Sequence, residues 1–280
     1  MAQAIAEGIC TRADIFLTSK LWHSKCVPAP GGSETSAEMV AAALSATLKD
    51  LQTDYVDLYL VHWPFFTKPG SAFPPTTRDD VLGYSEASYL AVWRELEKAV
   101  DGGRARAIGT SNVSAKKLAA LLRDARIPPA VNQVESHPFL PQLRLKKFCD
   151  AHNIVLEAYS PLGSPDRPAR LVDEADPVPL ADPVVAGVAA KHGATAAAVL
   201  LRWQTQRGVV ALPKSTTPSR IAANLDTFGF TLDAADLAAL AALGERPASR
   251  IVKGLPLMVA GQEHWSSHWD EEWERENVQL

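Results

Sequence analysis

Val56-Asp-Leu-Tyr-Leu-Val-His-Trp-Pro64 is the stretch on which the reading of the fold turns. A short run rich in Val, Leu and Tyr is followed by a loop rich in Pro and Gly, and then by an amphipathic helical pattern. Runs of the same kind recur at Ile15–Ser19, Ala107–Thr110, Ala130–Val134, Ile154–Tyr159 and Val209–Leu212. Strands that are apolar throughout suit a parallel sheet covered on both faces.

Helical patterns fill the intervals. Thr35-Ser-Ala-Glu38 is a capping-box sequence and opens a helix with Val40, Leu44, Leu48 and Leu51 on one face. Tyr89, Val92, Trp93, Leu96 and Val100 mark a second helix, closed by Asp101-Gly102-Gly103. Leu118, Leu121 and Leu122 mark a third, and Leu143, Leu145, Phe148 and Cys149 a fourth. Further helices are expected over about 182–192 and 195–207, from Pro218, and after Asp233. A strand-then-helix alternation with no linker favours a (β/α) barrel or a doubly wound sheet. Pro and Gly collect in Pro64–Pro75 and Ser160–Pro183, each after a strand, where a barrel keeps its active site. The six strands counted fall short of the eight that close such a barrel. The opening Gln3-Ala-Ile-Ala-Glu-Gly8 reads as the tail of a helix, so the chain is expected to start in mid-unit.

The bulk properties narrow the function. The 280 residues are 47% hydrophobic and 21% charged, the make-up of an ordinary globular chain with a sizeable core. A net charge of −4 offers no basic footprint for nucleic acid and no polybasic membrane patch. Cys10, Cys26 and Cys149 form no CxxC pair, and reduced thiols in a cytoplasmic setting are expected. The histidines include no HExxH, so no metal site is expected. No signal-peptide layout and no apolar run of membrane-spanning length is present. GxGxxG, GxxxxGK[ST] and GxSxG are all missing, which removes the Rossmann fingerprint, the P-loop and the simplest serine hydrolase.

Polar residues at strand ends remain. Lys20 closes the first run and His62 the second. Alone, each is a snorkelling lysine or a satisfied core histidine. Together, on neighbouring strands, they suit a cation that tunes a proton donor and an imidazole that holds a carbonyl oxygen. Ser111, Asn112 and Gln133, at the next two strand ends, offer the donors and acceptors that a carboxamide needs. Ser111 and Asn112 could equally cap the following helix. Tyr159 could stack on a flat ring or sit at the rim. Leu212-Pro-Lys-Ser-Thr-Thr-Pro-Ser-Arg-Ile221 is the most informative stretch. Thr217 and Pro218 read as an N-cap and first helical residue, and Lys214, Ser215, Thr216 and Arg220 surround that helix start with two cations and two hydroxyls. A phosphomonoester asks for such a set.

SKLW (19–22), DLYLVHWP (57–64), GTSN (109–112), VNQVESHPFL (131–140), AYSPLGSPDRP (158–168) and LPKSTTPSRIAANL (212–225) occur in the order and at the spacing of the aldo-keto reductase superfamily, which the chain resembles. The resemblance implies an α/β fold, a (β/α)8 TIM barrel that binds NADP(H) without a Rossmann fold and reduces a small-molecule carbonyl substrate. It implies one barrel domain over 1–280 with a C-terminal tail from about 245, acting as a monomer. Lys20 then lowers the pKa of a catalytic Tyr, and His62 orients the carbonyl. Ser111, Asn112 and Gln133 match the carboxamide site and Tyr159 the ring that stacks on the nicotinamide. Ser160, Leu162, Ser164 and Asp166 match the loop over the pyrophosphate. Lys214, Ser215, Thr216 and Arg220 match the 2′-phosphate and adenosine site, and Asn224 the adenine contact. Ala223 stands where the family carries an adenine-binding Glu. The family's catalytic Tyr and its partner Asp fall upstream of Met1, so the first βαβ portion is expected to be missing and activity to be weak. So does the lysine that usually clasps the residue matching Asp166. Tyr59 is no substitute, because strand alternation turns it away from His62.

Trp22 and Trp63 flank the two catalytic-type residues and would give an aromatic mouth suited to aldehydes and ketones. Trp265, Trp269 and Trp273, spaced i, i+4, suggest a short amphipathic helix in the tail, packed on the barrel or serving as a lid. The alternatives to a reductase are a non-catalytic NADP(H)-binding regulatory protein on the same scaffold, or a lyase or isomerase on a generic barrel.

Overall fold

The computed structural model describes residues 1–27, 36–75, 77–168, 172, 176–245, 250–252 and 269–270. The chain forms two compact units: Met1–Asn132 with Gly254–Asp270, and Gln133–Lys253 with Glu271–Leu280.

The first unit opens with α1 (Ala2–Ala6) and then carries β1 (Thr18–Leu21), α2 (Ser36–Leu51), β2 (Val56–Val61), α3 (Glu86–Asp101), β5 (Ala105–Ser111) and α4 (Ala115–Asp124). Between β2 and α3 lies a small antiparallel pair, β3 (Phe66–Thr67) and β4 (Val81–Gly83). β1 pairs with β2 and β2 with β5, all parallel, with Lys20 opposite Leu60 and Leu60 opposite Gly109. Leu58 and Leu60 pack with Val131 on one face of this sheet. α2 buries Met39, Val40, Ala43, Leu44 and Leu48, and α3 buries Tyr89, Val92, Trp93 and Leu96, as the helical period requires. Gly103, with a φ of 70°, supplies the left-handed step that ends α3.

The second unit holds all but the first two residues of β6 (Val131–Glu135), then α5 (Leu143–Ala151), β7 (Val155–Tyr159), α6 (Pro183–Lys191), α7 (Ala196–Gln206), β8 (Val210–Ala211), α8 (Pro218–Leu225) and α9 (Ala234–Ala241). β6, β7 and β8 follow one another in chain order, and β7 and β8 are parallel. Val185, Val199, Leu200, Trp203, Leu232 and Leu240 form the core between α6, α7 and α9. The fold is α/β with parallel strands, as expected, and the six long-range strands are the six read from the sequence.

The strand bounds differ from those expected by one to three residues at an end. The first strand begins at Thr18 instead of Ile15, because Arg12 donates to the Ile15 carbonyl at 2.7 Å and engages a group that a ladder would use. The β3–β4 pair has no counterpart among the expected strands, since strands of two and three residues carry no alternation to detect. The Thr35 end of the α2 capping box, and Trp265 and Trp273, lie outside the described residues. No single described helix is long and apolar enough to cross a membrane; α6 and α7 pass such a test only as a pair, bent by 87°.

Gly109 holds β5 against its neighbours. A Cβ there would stand 2.7 Å from Leu60 Cδ2 and 2.7 Å from the Val131 carbonyl oxygen. Backbone cannot yield to that contact, so Gly109→Ala is expected to lose about 1–3 kcal/mol in urea denaturation. Asp57 anchors the opposite end of β2. Its buried carboxylate accepts from Leu17 N–H at 2.9 Å, Arg12 at 2.8 Å and Arg106 at 2.9 Å. Burial pushes its pKa up, but Leu17, Arg12 and Arg106 outweigh that and hold it below the usual value. A depressed folded pKa contributes stability above the unfolded value, about 3.9, and loses it as the pH falls through the folded one. Asp57→Asn should therefore cost about 2–3 kcal/mol at pH 7 and flatten this part of the acid dependence, as read by urea melts at stepped pH.

Candidate functional site

Within the first unit, the carboxyl ends of β1, β2 and β5 bring Lys20, His62, Ser111 and Asn112 to one side. The register that sets Lys20 opposite Leu60 puts His62 two residues further along, where its N–H donates to the Leu21 carbonyl at 3.1 Å. The His62 ring meets Trp22 edge-on at 5.0 Å and stacks with Trp63 at 6.3 Å. Burial lowers the His62 pKa to about 4, and the charges of Lys20 and His23 add to the shift. The imidazole is therefore neutral at pH 7 and can donate a hydrogen bond without carrying charge. Trp22 is half-buried and also touches Phe73 at 5.2 Å, whereas Trp63 is 5% exposed. Of the two expected mouth residues, Trp22 with Phe73 forms the accessible part and Trp63 backs the His62 ring.

Asn112 takes a left-handed φ of 61° and donates its amide to the His62 carbonyl at 3.0 Å and to Ser111 Oγ at 3.2 Å. It braces the end of β2 against the end of β5. Ser111 and Asn112 are not the helix cap: Ser114 takes that place, its hydroxyl accepting from Lys117 N–H at 3.3 Å. Ser114 and Lys117 also hold Asp270, with Lys117 Nζ at 2.5 Å, and Trp269 beside it is buried.

In the second unit Gln133 is buried at the middle of β6 and donates to Glu157 at 2.7 Å. Tyr159 ends β7, and burial, reinforced by the charge of Glu135, pushes its hydroxyl far above the ordinary tyrosine value. A cleft of about 730 Å³ opens beyond it. Its walls include Ser160, Leu162, Ser164, Asp166, Lys214, Ser215, Thr216, Arg220 and Asn224, so every residue expected on the loop after β7 and around the start of α8 lines one cavity. The loop after β7 turns through left-handed residues Ser160, Gly163 and Ser164, and the two serine hydroxyls bond at 2.6 Å. Gly163 is required there, because a Cβ would lie 2.5 Å from Pro179 Cδ. Thr217 is the N-cap of α8 by position, but its side chain makes no cap bond; the Ser215 hydroxyl accepts from Thr217 N–H at 3.1 Å instead.

The description "Aldo/keto reductase family" belongs to the family model that matches residues 1–245. The chain belongs to that family. It is 46% identical over 243 residues to "Aldo/keto reductase slr0942" of Synechocystis, covering 87% of this chain and 71% of that protein. It is 41% identical to "Aldo-keto reductase family 1 member A1" of Xenopus tropicalis, covering 88% and 73%, and 44% identical to the protein of that name in Bos taurus, covering 84% and 69%. The aldo/keto reductase chain is thus of an oxidoreductase lineage whose members use a nicotinamide cofactor.

Two groups in this reductase carried no signal in the sequence. His23, just past Trp22, is buried with Nδ1 2.9 Å from Thr67 Oγ1, and burial lowers its pKa to about 4. Its partner belongs to β3, which is too short to show a period. Glu135 is fully buried and accepts from Ile251 N–H at 2.7 Å, Val252 N–H at 2.8 Å and His137 at 3.1 Å. Burial favours its protonation, but His137, Arg250 and the Ile251 N–H reverse that and lower its pKa.

The imidazole assignment can be tested by NMR. The His62 ring should stay neutral down to about pH 5, and Lys20→Met should raise its pKa while leaving it below 6.5, because burial is the larger cause. A His62 midpoint near 6.5 in the unmodified chain would contradict the geometry.

Proposed function

We propose that this chain binds NADPH and acts in the reduction of aldehydes and ketones to alcohols, with cofactor binding the stronger of its two capacities. One observation carries the reading: Lys214, Arg220 and the hydroxyls of Ser215 and Thr216 line one cleft at the start of α8. Two cations and two hydroxyls beside a helix start match a phosphomonoester, which distinguishes NADPH from NADH. Asn224, in the same cleft, would take the adenine, and Ser160, Leu162, Ser164 and Asp166 the pyrophosphate. In the second unit, Gln133 would bind the carboxamide and the Tyr159 ring would support the nicotinamide. When bound, the cofactor supplies the hydride.

The remaining chemistry is that of the carbonyl oxygen. A neutral His62 can donate to it, and the Lys20 ammonium stabilises negative charge developing there. Trp22, Trp63 and Phe73 exclude water around that point. Delivery of a proton is the weak step. Tyr59 is buried in β2, its hydroxyl raised to about 12 by burial and turned toward Thr47 of α2. Tyr159 is raised further still. Neither is matched to proton transfer near neutral pH. The same placement favours the second reading, a nucleotide-binding protein with little turnover.

Titration with NADPH should quench tryptophan fluorescence saturably, whereas reduction of a simple aldehyde should run about 10²–10⁴-fold below an ordinary enzymatic kcat of roughly 10 s⁻¹. No saturable NADPH binding would refute the cofactor assignment. Turnover near the ordinary value would show that this chain does hold an effective acid.

A further inference from the structure

β6 and β7 are neighbours in the second unit. Strand alternation sets Gln133 and Glu135 on one face of β6, and Glu157 and Tyr159 on one face of β7. The hydrogen bond from Gln133 to Glu157, at 2.7 Å, shows that these two faces are the same side of the sheet. One rung further along, the Ser136 N–H donates to the Tyr159 carbonyl at 3.3 Å, and Glu135 stands beside Tyr159. Burial is the first cause of the raised Tyr159 hydroxyl pKa and the Glu135 charge the second, while the Arg250 charge and a hydrogen bond from the Glu135 main chain oppose them. The hydroxyl end of Tyr159 is therefore turned inward to Glu135, and the rest of this half-buried side chain is what a ligand can reach. Glu135 itself is held from far along the chain. Its carboxylate is 0% exposed and accepts from the N–H groups of Ile251 at 2.7 Å and Val252 at 2.8 Å. Gln142 donates to the Glu135 carbonyl and Gln204 to the Ser136 carbonyl, both at 2.8 Å, so the main chain of β6 is fixed there and the Glu135 side chain is the part that can turn.

We propose that Glu135 is a positioning residue that couples docking of the Arg250–Val252 segment to the pose of the Tyr159 ring, and so to binding of the nicotinamide half of a dinucleotide. The inference rests on the reading of Tyr159 as the ring support and goes beyond it. A buried carboxylate that loses two main-chain donors must find others. The Tyr159 O–H is at hand, and to donate to the carboxylate it has to tilt its ring. With Ile251 and Val252 in place, Glu135 is satisfied and the ring keeps the pose that a flat ligand needs. Linkage makes the effect reciprocal: a nicotinamide that stacks on Tyr159 holds the segment more tightly by the factor by which the segment favours the nicotinamide. Neither Glu135 nor Tyr159 lines the cleft at the start of α8, so the adenosine end of the ligand stays outside the coupling.

Calorimetric titration of the 280-residue chain with NADP⁺, which carries the nicotinamide, and adenosine 2′,5′-bisphosphate, which lacks it, tests this without recourse to turnover. Glu135→Gln keeps the size of the side chain but leaves one acceptor oxygen for two N–H groups. It should weaken NADP⁺ by about 5–50-fold and leave the bisphosphate within about 2-fold. A loss shared equally by both ligands, as a merely structural role would give, overturns the proposal, and so does no loss for either. A second measurement needs no variant. Hydrogen exchange followed by NMR should slow at the Ile251 and Val252 amides when NADP⁺ is added and stay unchanged with the bisphosphate. Exchange that is indifferent to NADP⁺, or slowed equally by both ligands, overturns the coupling while the cofactor reading stands. If the unmodified chain binds NADP⁺ no more tightly than the bisphosphate, the ring-support reading fails and the inference with it. If it binds neither, the whole cofactor reading fails.

Discussion

Leu58 and Leu60 pack with Val131 on one face of the first unit's sheet, and the two-residue period of a strand turns that contact into a rule for its neighbours. Once Leu60 faces this cluster, His62 must follow it to the same side, and Tyr59 must turn to α2. Parallel pairing passes the rule sideways, setting Lys20 and Gly109 level with Leu60. The space between Leu60 and Val131 is too narrow for any side chain, so the residue between them has none. Chemistry at the strand ends is thus a by-product of packing in the middle.

Such regularities are why much of the molecule could be read from the sequence. The helices around Val40, Tyr89 and Leu118 and the strand at Val56 announce themselves through periodic burial, and the start of α8 through Pro218 and the charges before it. Other features leave no periodic trace. β3 and β4 are too short to alternate. The start of β1 is decided by an arginine side chain that competes for a carbonyl. The cap before α4 falls on Ser114 and not on Ser111 or Asn112, because the strand runs on further than its apolar residues do. Local chemistry at Lys214 was legible, but its partner was not: nothing in a one-dimensional string sets residue 214 beside residue 166.

Both units keep a buried carboxylate, and both treat it alike. Asp57 and Glu135 each receive main-chain N–H groups together with a cationic or imidazole partner, so the charge is held by hydrogen bonds and not left bare. In each case the main-chain donors come from a segment distant in sequence: Leu17 for Asp57, and Ile251 and Val252 for Glu135.

The distance from Glu135 to Ile251, 116 residues, also has a meaning in time. A ribosome adding about 5–20 residues per second needs roughly 6–23 s to pass from one to the other. Throughout that interval the main-chain donors of Ile251 and Val252 have not been synthesised, and of the three donors only His137 is in place. Nascent β6 must wait with its acid wet or incompletely bonded until residues 251 and 252 emerge.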